Sequence, residues 1–216
     1  DNNDNNNTAL DNERVQVTLR DITNENGIYK LKGKYCVLDD IETPDDDFPE
    51  LTNPYGFNFT RDQQGFEAVM VYYHIDLAAR RVKQLGYNIP ELHSFKADPH
   101  GLNGIDNSVY EYSGDYAAFG EGGVDDAEDS DVIWHEFGHA IEDHLGDGRL
   151  CCNSEAMNVS EGSADYWAIS YSRSISSHNW GHFGNWNSHN EFREGRSADT
   201  DLVYPDDLAP YHEGGQ

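Results

Sequence analysis

The chain has 216 residues, enough for one domain with a substantial core or for two small lobes. Its 41 acidic residues outnumber 14 basic ones, and the net charge of −27 argues against nucleic acid or an anionic membrane as partner, since both attract basic patches. No apolar run is long enough to cross a bilayer, and no signal-peptide pattern opens the chain.

Residues 1–13 are rich in Asn and Asp, which predicts a flexible segment. From Val15 to Val37 the apolar residues alternate in short pieces (Val15, Val17, Leu19; Tyr29, Leu31; Tyr35, Val37) around a turn at Asn24–Gly27. That pattern predicts a small antiparallel sheet. Residues 39–64, with Thr43-Pro44 and Asn53-Pro54, read as a loop crossing to the main domain. The expected division is therefore a small β segment and linker over 14–60 and a main domain over 61–216. An amphipathic helix is predicted from about Gln63 to Leu85, with Phe66, Val69, Met70, Tyr73, Leu77 and Val82 as its apolar positions and Gly86 as its stop. Residues 105–119 read as a hairpin turning at Ser113-Gly114-Asp115.

The most informative segment follows, HEFGH at 135–139. On a helix, residues four apart share a face, so His135 and His139 can offer two imidazoles to one metal ion. Glu136 lies beside the first of them, placed to take a proton from a water activated there. The flanking Val132, Ile133, Trp134, Phe137, Ala140, Ile141 and Leu145 predict a buried helix, where two histidines and a glutamate need a partner. A second helical pattern begins near Asn158 and carries Glu161 and Asp165 one turn apart. A catalytic zinc takes three protein ligands and keeps one position open. Glu161 supplies the third, and Asp165 can accept the free ring N–H of a liganded histidine.

The acidic cluster Asp125, Asp126, Glu128, Asp129 and Asp131 just before this helix is the best candidate for calcium, as hard oxygen donors at close spacing. It lacks the order of an EF-hand loop, and an N-capping role for Asp129 or Ser130 explains it equally well. The chain has three cysteines, Cys36, Cys151 and Cys152, so full pairing is excluded, and a bridge from Cys36 to either of the others stays open. Residues 172–200 turn polar and rich in Gly, Asn and Trp. They predict an irregular loop in which His178, His182 and His189 are structural or face solvent.

HEFGHAIED followed by SEGSADYWA resembles the gluzincin metallopeptidases of the thermolysin and fungalysin group. The separation of His139 from Glu161 lies between those of thermolysin and fungalysin. The resemblance extends to Asn107, Ser108 and Tyr110, which match the edge strand on which such enzymes lay a substrate backbone, with Ser108 replacing the usual alanine. It extends also to His212, which matches the group's second catalytic histidine, with Asp207 as its support. The implied protein is an α+β zinc endopeptidase with a zincin-type domain, a substrate edge strand and two active-site helices. It is implied to be secreted and to act on protein or peptide substrates. In that group the chain continues past the position of His212 into a helical lobe, so the domain over 61–216 is expected to be C-terminally incomplete.

The implied roles are these. Zn2+ is held by His135, His139 and Glu161, Glu136 acts as general base, and His212 stabilises the oxyanion with Asp207 behind it. Two alternatives stay open. An aminopeptidase of the same superfamily would carry a Gly-x-Met-x-Asn-type motif before the helix, and none is found. A catalytically weak peptide-binding module would normally show a damaged motif, whereas Glu136 and all three ligands are intact.

Overall fold

The structure is a computed structural model, and it describes residues 7–146, 154–187, 189–190, 193–194 and 196–203. The described residues begin with a short exposed helix, α1 (Thr8–Glu13), inside the segment that composition predicted to be flexible. Local capping explains the difference. The Asn7 side chain accepts from the backbone N–H of Ala9 and Leu10 at 2.9 and 3.1 Å, satisfying donors that a helix start leaves open.

Strands β1 (Thr23–Glu25) and β2 (Ile28–Lys30) form the predicted antiparallel hairpin. Its turn residues Asn26 and Gly27 both take positive φ, 55° and 87°, as a tight two-residue hairpin turn requires. The rest of the expected sheet departs from the sequence pattern. Residues 15–19 form no strand, and Val15 and Val17 are exposed, because no sheet offers that alternation a buried face. Strand β3 (Cys36–Leu38) pairs elsewhere, and the third strand of the small sheet is instead β4 (Glu50–Leu51), against β2.

Helix α2 (Gly65–Gln84) matches its predicted span and stops where expected, with Gly86 at φ +98°. Its buried face is offset by about one residue. Ala68, Val71, Tyr72, Ile75, Ala78, Ala79 and Val82 are buried, while Phe66, Val69, Met70, Tyr73 and Leu77 are only half-buried. Buried polar residues misled the reading. Glu67, His74 and Asp76 also point inward, which hides the apolar stripe in the sequence.

Strands β5 (Phe95–Asp98), β6 (Ser108–Glu111) and β7 (Tyr116–Phe119) complete a four-stranded sheet in the order β3-β5-β7-β6. The first three strands run parallel and β6 is an antiparallel edge. Because β3 lies in this sheet, the segment 14–60 is not a unit apart from the rest. Next come α3 (Ser130–Gly146) and α4 (Ser154–Ile175). Helix α2 packs on β3, α3 packs on β6 and β7, and α3 touches both α2 and α4. Phe95, Phe119, Phe137, Ile75 and Ile133 fill the space between sheet and helices, with the Phe95 and Phe137 rings edge-to-face at 5.2 Å.

After α4 the chain is more ordered than predicted. Short strands β8 (His182–Phe183), β9 (His189–Asn190), β10 (Arg193–Glu194) and β11 (Arg196–Ser197) pair antiparallel as β8 with β11 and β9 with β10. The architecture is mixed α+β. Cys36 is a buried free thiol, and Cys151 and Cys152 lie outside the described residues.

Candidate metal centre

Residues 131–140 of α3 are all buried, so the helix brings its polar groups into the interior along with its apolar ones. Gly138 lets α4 come close. A Cβ there would meet Ala164 Cα at 3.2 Å, tighter than most side chains allow. The short approach brings Glu161 of α4 across to the imidazoles of α3. His135 Nε2 lies 3.1 Å from His139 Nε2 and 3.3 Å from Glu161 Oε2, and His139 Nε2 lies 3.7 Å from Glu161 Oε1. Ligands about 2.0–2.1 Å from a tetrahedral zinc would sit roughly 3.3 Å apart. The three donors fit that spacing.

The outer hydrogen bonds fix which nitrogens are free. His135 Nδ1 lies 2.8 Å from Asp165 Oδ1, and a carboxylate can only accept, so Nδ1 carries the proton. His139 Nδ1 lies 2.8 Å from Ser160 Oγ, whose single hydrogen goes to Glu142 Oε2, so this Nδ1 also donates. Both Nε2 lone pairs therefore face each other and the Glu161 carboxylate in a buried space. That arrangement is repulsive unless a cation or a proton sits among them.

The electrostatics agree. Burial alone would lower His135, but the bonds to Asp165 and Glu161 outweigh it and hold the imidazole at about 10. Burial, reinforced by charge on His135, lowers His139 to about 3. Burial raises Glu136 to about 7, with His135 opposing that rise and Glu161 adding to it. Asp165 is anchored from its far side by Arg196, whose Nε and Nη2 reach it at 2.8 and 2.6 Å. The cross-strand pair Arg196↔Phe183 sets this up. The Arg196 guanidinium lies 4.1 Å above the Phe183 ring, which packs in turn against His135.

The edge strand lies beside the same site. Gly120 N–H donates to Asn107 O, so by the alternation of an antiparallel ladder the backbone groups of Ser108 and Tyr110 face away from β7. Glu136 takes a backbone hydrogen bond from Tyr110 on that edge. The Tyr110 side chain, by contrast, is in the core, its hydroxyl shared between Asp115 and Asp143 at 3.0 and 2.9 Å. Ser108 Oγ donates to Asp126 Oδ2 at 2.6 Å, and Asn107 is exposed. Asp207 and His212 lie outside the described residues.

The acidic cluster divides among several tasks. Asp129 caps α3 through Asp131 N at 2.8 Å and also accepts from Trp186 N and Asn187 N. Asp131 accepts from Ser172 and from Gly184 N. Asp125 and Glu128 instead converge with Glu67 of α2. Among the described residues, groups able to hold an ion are His135–His139–Glu161, Asp46–His100–Glu121 and Glu67–Asp125–Glu128. His178 is exposed and His182 half-buried.

Sequence reasoning missed Ser160, Glu142 and Arg196. The i, i+3 spacing of His139 and Glu142 was a usable signal, whereas the partner of Asp165 comes from a distant strand. A scan against protein-family models and a search of curated proteins found no match to this chain.

Proposed function

We propose that the protein is a zinc-dependent endopeptidase with a zincin-type domain of the thermolysin and fungalysin kind. The observation that carries the reading is the convergence of two oriented imidazole lone pairs and a carboxylate at 3.1–3.7 Å, with a buried glutamate beside them.

His135, His139 and Glu161 would hold the metal. Zinc, when bound, supplies a Lewis acid for the scissile carbonyl and lowers the pKa of water towards about 7. Glu136 is the proton carrier, taking a proton from the attacking water and returning it to the leaving amine. Its position beside the Tyr110 N–H sets the carboxylate against the β6 edge. An extended peptide adding to the outward-facing backbone groups of Ser108 and to the Tyr110 carbonyl would run past that carboxylate. Asn107, exposed just before the strand, would bind a substrate group, as the resemblance implies. Asp165 and Ser160 keep the two imidazoles in the tautomer that presents Nε2, and Arg196 holds Asp165 in place. The resemblance adds His212, supported by Asp207, as donor to the developing oxyanion. The same resemblance implies a secreted enzyme acting on proteins or peptides.

The test pairs metal content with turnover. Wild type and Glu136→Gln should each carry one zinc per chain, and His139→Ala none. Cleavage of internally quenched peptides should fall on the order of 100- to 10,000-fold in Glu136→Gln. Full activity in Glu136→Gln, or no zinc in wild type after reconstitution, would overturn the proposal.

A further inference from the structure

A second set of acidic groups converges away from solvent. Glu67 lies in the first turn of α2, while Asp125 precedes and Glu128 ends the 3-10 turn that leads into α3. One carboxylate oxygen of each lies within 4.8 Å of the others, and all three residues are buried. Buried carboxylates demand compensating charge; here Arg61 pairs with Glu128, and the His100 imidazole lies 3.9 Å from Glu67. Glu128 Oε2 accepts from Arg61 Nε and Trp186 Nε1, both at 2.8 Å, while its Oε1 is buried without a hydrogen bond among the described residues. Glu67 Oε2 also lacks one, although Glu67 is 3 % exposed.

A third element points at the same place. His100, beyond the end of β5 and also 3 % exposed, has no hydrogen bond on either ring nitrogen among the described residues. Its Nε2 lies 3.9 Å from Glu67 Oε2 and its Nδ1 3.6 Å from Asp46 Oδ2, ion-pair distances too long for a hydrogen bond. Unsatisfied buried groups arriving from a helix, a loop and a strand end are not an ordinary solvated acidic run.

We infer that Glu67, Asp125 and Glu128 form a binding site for a hard divalent cation of the calcium class, separate from the site of His135, His139 and Glu161. The donors are all carboxylate oxygens, which suit calcium better than zinc. Arg61 and Trp186 hold one oxygen of Glu128 and so leave the other for the cation. A cation there would tie the first turn of α2 to the entry of α3, the helix that carries His135. It would also stiffen the turn holding Asp126, on which Ser108 of the β6 edge is anchored.

Terbium is a luminescent calcium mimic excited through a nearby indole, and Trp186 is bonded to Glu128. Protein loaded with one equivalent of zinc is titrated with terbium and then with calcium, and its thermal midpoint is followed as calcium is added. The expected result is indole-sensitised emission that calcium displaces, with a midpoint that rises with calcium. Glu67→Gln should weaken calcium binding at least tenfold, yet be no less stable than wild type without calcium, because it removes one of the mutually repelling charges. Trp186→Phe should remove most of the emission while keeping the calcium-dependent rise. A wild-type midpoint that ignores calcium, or an equal rise in Glu67→Gln, overturns the site. So does emission that survives Trp186→Phe, even if Glu67→Gln fails to fold.

Discussion

Ser160 stands one position before Glu161, and its oxygen accepts from His139 Nδ1 while its hydrogen goes to Glu142. A serine there looks unremarkable in the sequence, yet it selects the tautomer of His139. Ser160→Ala should therefore weaken zinc binding by roughly 10- to 100-fold, as loss of such a supporting partner typically does. Competition against a chromophoric chelator measures this, and an unchanged affinity would remove Ser160 from the site. Asp165 was legible because it falls one turn beyond Glu161 on a helix. Arg196 was not, because nothing local links it to Asp165, and only the pairing of β11 with β8 brings it there.

At the scale of elements, the spacing of α3 and α4 decides whether three ligands meet. Gly138 permits that spacing, and a side chain there would press on the backbone of Ala164. Gly138→Val should cost about 1–3 kcal/mol of stability by overpacking. It should also lower zinc affinity by moving Glu161 away from the imidazoles. Urea midpoints and zinc competition on the same variant test both, and an unperturbed variant would show that other contacts set the helix separation. The span of α2 was readable from periodicity and its stop signal, whereas for α3 and α4 the sequence showed helices but not their bounds, and α4 runs on to Ile175, into the segment read as loop. The buried face of α2 was not, since inward-facing Glu67, His74 and Asp76 broke the apolar pattern.

For the whole molecule, two global variables follow from charge. A net charge of −27 repels itself in the compact state, and salt screens that repulsion. Raising the ionic strength from about 0.01 M to about 1 M shortens the screening length from roughly 30 Å to 3 Å and should raise the thermal midpoint. A flat or falling midpoint would mean that specific ion pairs outweigh the general repulsion. The second variable is pH, through His74. It is buried, accepts from Trp134 Nε1 at 3.1 Å, and burial lowers its pKa from 6.5 to about 3. Because the folded pKa is the lower one, the unfolded chain takes up the proton first. This contribution to stability is complete above about 6.5 and is lost as pH falls towards 3. Stability of His74→Gln should decline less steeply than wild type across that window in urea titrations, and parallel curves would contradict it.

Local rules were enough for whatever repeats or caps within a few residues. The HEFGH spacing, the helix carrying Glu161 and Asp165, the hairpin at 105–119 and the stop at Gly86 all rest on interactions between near neighbours, which residue order alone dictates. Tertiary structure decided what depends on distant partners. Strand β3 left the small sheet for β5, the alternation at 15–19 formed no strand, and Arg196 came to rest on Asp165. The acidic run before α3 was likewise split, with Asp129 capping the helix while Asp125 and Glu128 turned towards Glu67. A carboxylate in a sequence shows its charge but not its burial, and burial sets which partner it must have.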